Sequence, residues 1–175
     1  MHVARYGQAV RSARRYVIQQ HSASTEHYDL RLQTGDVLRS WAVPKGPSLN
    51  PADRRLAQPV PDHSLEHGDF EGVLPGALRG TGAVIIWDEG TYDLRPTAGE
   101  DAKTLADALE RGHAAIELHG RKLRGGWALT RVAAAPAERW ILVKMRDAEA
   151  DPACDITASR PESVRSGRTL GELHP

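Results

Sequence analysis

Cysteine is nearly absent: Cys154 is the only one in the chain, and it lies in a polar stretch. That count excludes both a disulfide framework and a thiolate metal cluster. Aromatic residues make up only 5%, so the expected core leans on Val, Leu, Ile and Ala. An excess of either charge is also missing. Lys+Arg and Asp+Glu balance at 23 each, which excludes a protein that coats nucleic acid by bulk charge and leaves room for a local basic pocket. Long apolar runs are lacking too. The opening residues MHVARYGQAVRSARR contain no apolar signal-peptide stretch, and nothing approaches a membrane span. The expectation is a soluble, cytoplasmic protein whose 175 residues suffice for one domain with a real core.

What is present is a series of short strands. Tyr16-Val17-Ile18 centres one strand over Arg15–Gln20. Thr34-Gly35-Asp36 is a turn between two alternating runs, which predicts a hairpin over Glu26–Val43. The proline-rich loop Pro44–Pro51 follows and holds Lys45. Arg54–Ala57 starts a short strand that Pro59 and Pro61 should end. Thr81–Asp88 reads as a buried strand, with Glu89-Gly90 turning it into Thr91–Arg95. Asp101–Arg111 is the clearest helix, with Asp101 as its cap, Ala102, Leu105, Ala106 and Leu109 on one face, and Gly112 as its stop. Strands His113–Leu118, Lys122–Val132 and Arg139–Met145 complete the series. The predicted fold is mainly β, a compact barrel core with one or more peripheral helices. A basic leader (1–14) precedes the barrel domain (15–147), and a polar tail (148–175) either wraps the surface or stays loose.

The chemistry concentrates in His21–Leu32, HSASTEHYDLRL. Alternation puts His27, Asp29 and Arg31 on one side of a strand and Tyr28, Leu30 and Leu32 on the other. Side chains two residues apart stand roughly 6.7 Å from each other along a strand, close enough to lean onto one ion or phosphate. An imidazole and a carboxylate suit a first-row divalent metal, and a guanidinium suits phosphate oxygens. The Ser/Ala/Ser/Thr turn can return His21 as a third ligand. The same alternation also describes an ordinary surface strand with a charged outer face.

A second group lies downstream. Asp62-His63 sits between a proline and a tight loop, His67 follows four residues later, and Lys45 and Arg55 come from neighbouring segments. Brought to one barrel mouth, these residues would combine a metal site with an anion cradle, the equipment of phosphoryl chemistry. A rival set, His113, Glu117 and His119, shares one strand face and reads better as an exposed surface.

The motifs Q-x-H-x-A-S-x-x-H-Y-D-L-R-L, S-W-A-V-P-K-G-P, D-F-E-G-x-x-P, V-I-I-W-D, K-L-x-G-x-W-x-L and W-x-L-V-K occur in order between Arg15 and Met145. Together they resemble the 3′-phosphoesterase domain of bacterial DNA ligase D and its stand-alone homologues. The resemblance implies a β-barrel enzyme that trims DNA or RNA-tipped DNA 3′ ends in a manganese-dependent way, leaving a 3′-hydroxyl. It implies metal ligation by His21, His27 and Asp29, with Mn2+ expected and Zn2+ or Co2+ as alternatives. Arg31 and His63 take the catalytic and phosphate-contacting positions. Lys45 and Arg55 support them; beside what the resemblance implies, Asp62 and His67 join the expected substrate-binding set, with His67 either adding a metal or phosphate contact or changing the substrate. The expected partners are those 3′ ends and a ligase or polymerase of the end-joining pathway, with no membrane.

The chain departs from the family at three places. His67 replaces a tyrosine, Pro61 replaces a glutamate, and Pro75–Gly82 has lost the tyrosine of the family's glycine-rich loop. Two other readings compete with a 3′-end phosphoesterase. A non-catalytic DNA 3′-end-binding module would show no manganese-dependent turnover, and an enzyme of small phosphorylated metabolites would hydrolyse free nucleotides without DNA.

Overall fold

Successive side chains of an extended strand point to opposite faces, and eight of the nine strands described here use that rule to fill one barrel. The computed structural model describes residues 14–77, 82–96 and 104–173. Its strands are β1 (Arg15–Ser22), β2 (Glu26–Thr34), β3 (Val37–Val43), β4 (Arg55–Ser64), β5 (Gly72–Val73), β6 (Ala83–Leu94), β7 (His113–Gly120), β8 (Arg124–Ala133) and β9 (Arg139–Lys144). They pair in the order β1-β2-β3-β4-β9-β8-β7-β6, and β6 returns to β1. The result is a closed, eight-stranded antiparallel barrel; β5 adds two residues against β6. Closure pairs each barrel strand on both sides over at least part of its length. Two small helices, α1 (Leu105–Glu110) and α2 (Ile156–Ser159), lie outside it. No helix among the described residues is long and apolar enough to cross a membrane.

The core is less aliphatic than the composition suggested. All four tryptophans, Trp41, Trp87, Trp127 and Trp140, are fully buried among the inward side chains. Trp41 meets Trp140 edge-on at 6.0 Å, and Tyr28 meets Trp87 at 5.7 Å. Few aromatics therefore supply much of the buried area, since each ring removes far more apolar surface from water than a valine does.

Three local expectations change. β4 does not stop at Pro59 and Pro61 but continues to Ser64. Beyond Ala57 it no longer pairs with β9, so the missing proline donors break no ladder on that side. Glu89-Gly90 is not a turn: β6 runs through it, and Gly90 is pressed between β1 and β7, where a Cβ would strike the carbonyl of His119. The helix covers Leu105–Glu110, and Thr104 caps it by accepting from the backbone N–H of Asp107 at 3.1 Å. Its buried face is Leu105, Ala108 and Leu109, while Ala106 is exposed; the expected cap Asp101 lies outside the described residues.

The chain after β9 wraps the barrel. Ile156 and Leu170 join the core, Trp87 Nε1 donates to the Arg160 carbonyl at 2.8 Å, and the Val164 N–H donates to Ile86. Arg165 then bridges Glu89 and Asp69 with contacts of 2.6 and 2.8 Å. Asp69 ends the 3-10 turn Leu65–Asp69, so the wrapping segment also fastens the loop that carries His67.

Candidate functional site

The outer face of β2 is buried, and this separates it from an ordinary surface strand. Tyr28, Leu30 and Leu32 point into the core, yet Asp29 and Arg31 on the other face are only 6% and 3% exposed. What covers them is the outer face of β1 on one side, and on the other the end of β4 with the Leu65–Asp69 turn.

His21 is brought back by the hairpin. Ala23–Thr25 turns the chain between β1 and β2, so that His21 and His27 become direct cross-strand partners with ring centres 5.0 Å apart. His27 Nε2 is 3.3 Å from one oxygen of Asp29, and His21 Nδ1 is 4.0 Å from the other. The possible ligand atoms of His21, His27 and Asp29 all lie within 4.8 Å of one another. Among the described residues, they are the group of three or more such side chains gathered closely enough to share an ion. Two imidazoles and a carboxylate are a donor set that fits a divalent first-row metal.

The charge states of His21 and Asp29 agree with that fit, while His27 holds a proton that a metal would displace. Burial lowers the pKa of His21, and the neighbouring His27 and Arg31 lower it further, which leaves an uncharged ring with a free lone pair. The hydrogen bond to Asp29 raises His27 despite its burial. Burial pushes Asp29 upward, but His27 and Arg31 outweigh it and hold the carboxyl below its usual range. His27 Nδ1 also lies 3.3 Å from the Thr25 carbonyl. A carbonyl and a carboxylate can only accept, so Nδ1 donates to Thr25 and Nε2 donates to Asp29, and Nε2 must give up that proton before it can serve as a ligand.

Arg31 sits beside this group and is held from three sides. Its Nε donates to Gln19 Oε1 at 2.6 Å, and Nη1 donates to Ser40 Oγ at 2.9 Å. Nη1 is also 3.1 Å from His63 Nδ1, while Nη2 makes a long 3.4 Å contact with Asp29. A guanidinium can only donate, so His63 Nδ1 accepts and that ring keeps its proton on Nε2. Burial and the Arg31 charge lower the pKa of His63 against the pull of the Pro61 carbonyl. His67 stacks beside it at 4.4 Å, tilted by 38°. Burial, with Arg31 and His63, lowers His67 to about 4, so it stands as a neutral ring.

The remaining expected residues are spread more widely. Lys45 is exposed just past Val43, which pairs with Tyr28, and therefore lies at the His27 end of the sheet. Asp62 is exposed and pairs with Arg39 at 3.3 Å. Arg55 is not brought to the cluster. It shares the inward set of β4 with Ala57 and lines a separate cleft with Ser48, Asp53 and Cys154; its ion-pair partner is Asp53 at 3.8 Å. The alternation of β4 explains this, because the side paired with Ser40 takes Val60 and Gln58 rather than Arg55. The rival set also stays apart. His113 Nδ1 bonds Thr130 Oγ1, and His119 Nε2 meets Asp93 on an exposed face. Sequence reasoning missed Gln19 and Ser40, although Gln19 shares the alternation of His21 two residues on.

Comparison with known proteins gives this arrangement a family. The family model for the DNA ligase D 3′-phosphoesterase domain matches residues 19–131. A multifunctional non-homologous end joining protein LigD of Pseudomonas aeruginosa is 45% identical over 163 residues, covering 91% of this chain and 19% of the relative. Its counterpart in Mycobacterium bovis is 35% identical over 156 residues (89% and 19%), and that of Mycolicibacterium smegmatis is 36% identical over 134 residues (76% and 17%). The chain thus spans less than a fifth of each of these relatives. The chain belongs to the DNA ligase D 3′-phosphoesterase domain family.

Proposed function

We propose that the protein is a metal-dependent phosphoesterase that heals nucleic-acid 3′ ends, removing a terminal ribonucleoside or a 3′-phosphate to leave a 3′-hydroxyl for end-joining repair. One observation carries this reading: three side chains able to hold a metal and a buried guanidinium share Asp29, so cation and phosphate would be neighbours.

In this reading His21, His27 and Asp29 hold the divalent ion, with Mn2+ first and Zn2+ or Co2+ as alternatives. When bound, the ion supplies Lewis acidity toward a phosphoryl oxygen. Arg31 binds the phosphate through Nη2, the guanidinium edge with only one long contact, and offsets charge growing on its oxygens. His63 offers its Nε2 proton to a phosphate or leaving oxygen, consistent with a neutral ring whose Nδ1 is occupied by Arg31. His67, also neutral, contributes a hydrogen bond rather than a second charge. Lys45 can reach the nucleic-acid strand from the His27 end. Arg55 has no direct role at the reacting phosphate.

The test is a primer bearing one 3′-ribonucleotide and a second bearing a 3′-phosphate, each incubated with manganese and with a chelator. Shortened, 3′-hydroxyl products that disappear on chelation are expected. End binding without turnover would favour a recruiting module, and hydrolysis of free nucleotides alone would point to a metabolite enzyme.

A further inference from the structure

Gln19 is fully buried on the outer face of β1, and every polar atom of its side chain is used. Oε1 accepts from Arg31 Nε at 2.6 Å. Nε2 donates to the carbonyls of His67 and Phe70 at 2.9 and 3.0 Å. The amide orientation follows from its partners, since a guanidinium only donates and a carbonyl only accepts. One side chain therefore ties the β2 arginine to the turn bearing His67, from a strand that contributes the ligand His21 two residues later. Arg15 fastens the same turn further out, donating to the Gly68 carbonyl at 3.0 Å and to Asp69 at 2.8 Å.

We propose that Gln19 is a positioning residue that locks the Arg31 guanidinium and the His67 turn into one fixed relation, so that both meet the same phosphate. This rests on the phosphoesterase reading for its role in turnover, but not for its geometry. A glutamine fits where other residues do not, because the link needs one acceptor and two donors in a single buried group. Glutamate keeps the acceptor for Arg31 but sets a carboxylate against two carbonyls. Methionine keeps the length and loses all three bonds.

The experiment compares the intact protein with Gln19→Met and Gln19→Glu. Four quantities are read: melting temperature, manganese affinity, steady-state kinetics on the 3′-ribonucleotide primer, and the NMR signals of Arg31 Nε–H and the His63 and His67 rings. In Gln19→Met the Arg31 Nε–H should lose its protection from exchange and both ring signals should move. Its kcat should fall roughly 10- to 100-fold, the range seen when a supporting partner is removed, with manganese affinity within about threefold. Gln19→Glu should keep the Arg31 signal while the His67 ring shifts, and this variant decides the matter if Gln19→Met does not fold. Unchanged Arg31 and ring signals, or unchanged kcat in both variants, would overturn the proposal. An intact protein without turnover whose Arg31 signal still depends on Gln19 would remove the proposed function and leave the positioning standing.

Discussion

Two strands of this barrel carry nearly the same pattern and end differently. β2 presents His27, Asp29 and Arg31 on its outer face, and β7 presents His113, Glu117 and His119 on its own. On β7 the polar side chains gather into no such group: His119 meets a single acid, Asp93, where the two side chains are 48% and 67% exposed, and His113 bonds Thr130 instead. On β2 the same alternation is roofed by β1, the end of β4 and the Leu65–Asp69 turn, and each added element brings a side chain able to ligate or to brace. Alternation supplies residues on one face. Burial with cross-strand partners makes them a site, because charges removed from water persist only when they satisfy one another.

The largest effect should come from removing the charge at the centre of that contrast. Asp29→Asn keeps the shape and is expected to lower manganese affinity and turnover by at least ~100-fold, while Glu117→Gln and His119→Asn leave both unchanged within about twofold. Calorimetric titration with manganese beside the primer assay checks this. Comparable losses on both strands would erase the distinction. Metal affinity should also weaken as pH falls through the raised pKa of His27, because Nε2 must shed its proton to bind.

Arg31→Lys comes next, expected to cost roughly 100-fold in kcat, since a point charge cannot keep the fork that reaches Gln19, Ser40 and a phosphate together. Its manganese affinity should hardly move. A parallel loss of metal binding would mean that the two halves are not separable.

A smaller effect concerns pH and stability. Folded His67 titrates at about 4, against an ordinary 6.5 in the unfolded chain. Between those values the unfolded state binds more protons, so the metal-free protein should lose stability as pH falls through that window. His67→Gln should flatten part of this slope in thermal melts taken from pH 7 to 4. An identical slope would place the titration elsewhere.

Arg165→Ala should have the least effect. Its pairs with Glu89 and Asp69 are partly exposed, so a loss of about 0.5–1 kcal/mol is expected in chemical denaturation. A much larger loss would show that the wrapping segment braces the whole His67 turn.

Much of the barrel and the gathering of His21, His27 and Asp29 was legible because both depend on local rules. Period-two alternation found β2, and a short turn of small side chains, Ala23–Thr25, returned His21 opposite His27. Contacts distant in sequence were harder to see. Gln19 matters through Arg31, His67 and Phe70, up to 51 residues away, and a lone glutamine carries no local mark of such a role. The placement of Arg55 was hard to see for a related reason. A charge near a predicted site says nothing about which face of the strand it occupies until the register with β3 is known. The prolines of β4 also depended on context, since only the loss of β9 beyond Ala57 makes them acceptable in a strand.

The most direct test is anomalous diffraction from crystals grown with manganese and phosphate. A single strong peak bound by His21, His27 and Asp29, with a phosphate oxygen lying between the ion and Arg31, is the expected result. Manganese on the β7 face, or phosphate bound far from Arg31, would contradict the shared cation and phosphate site.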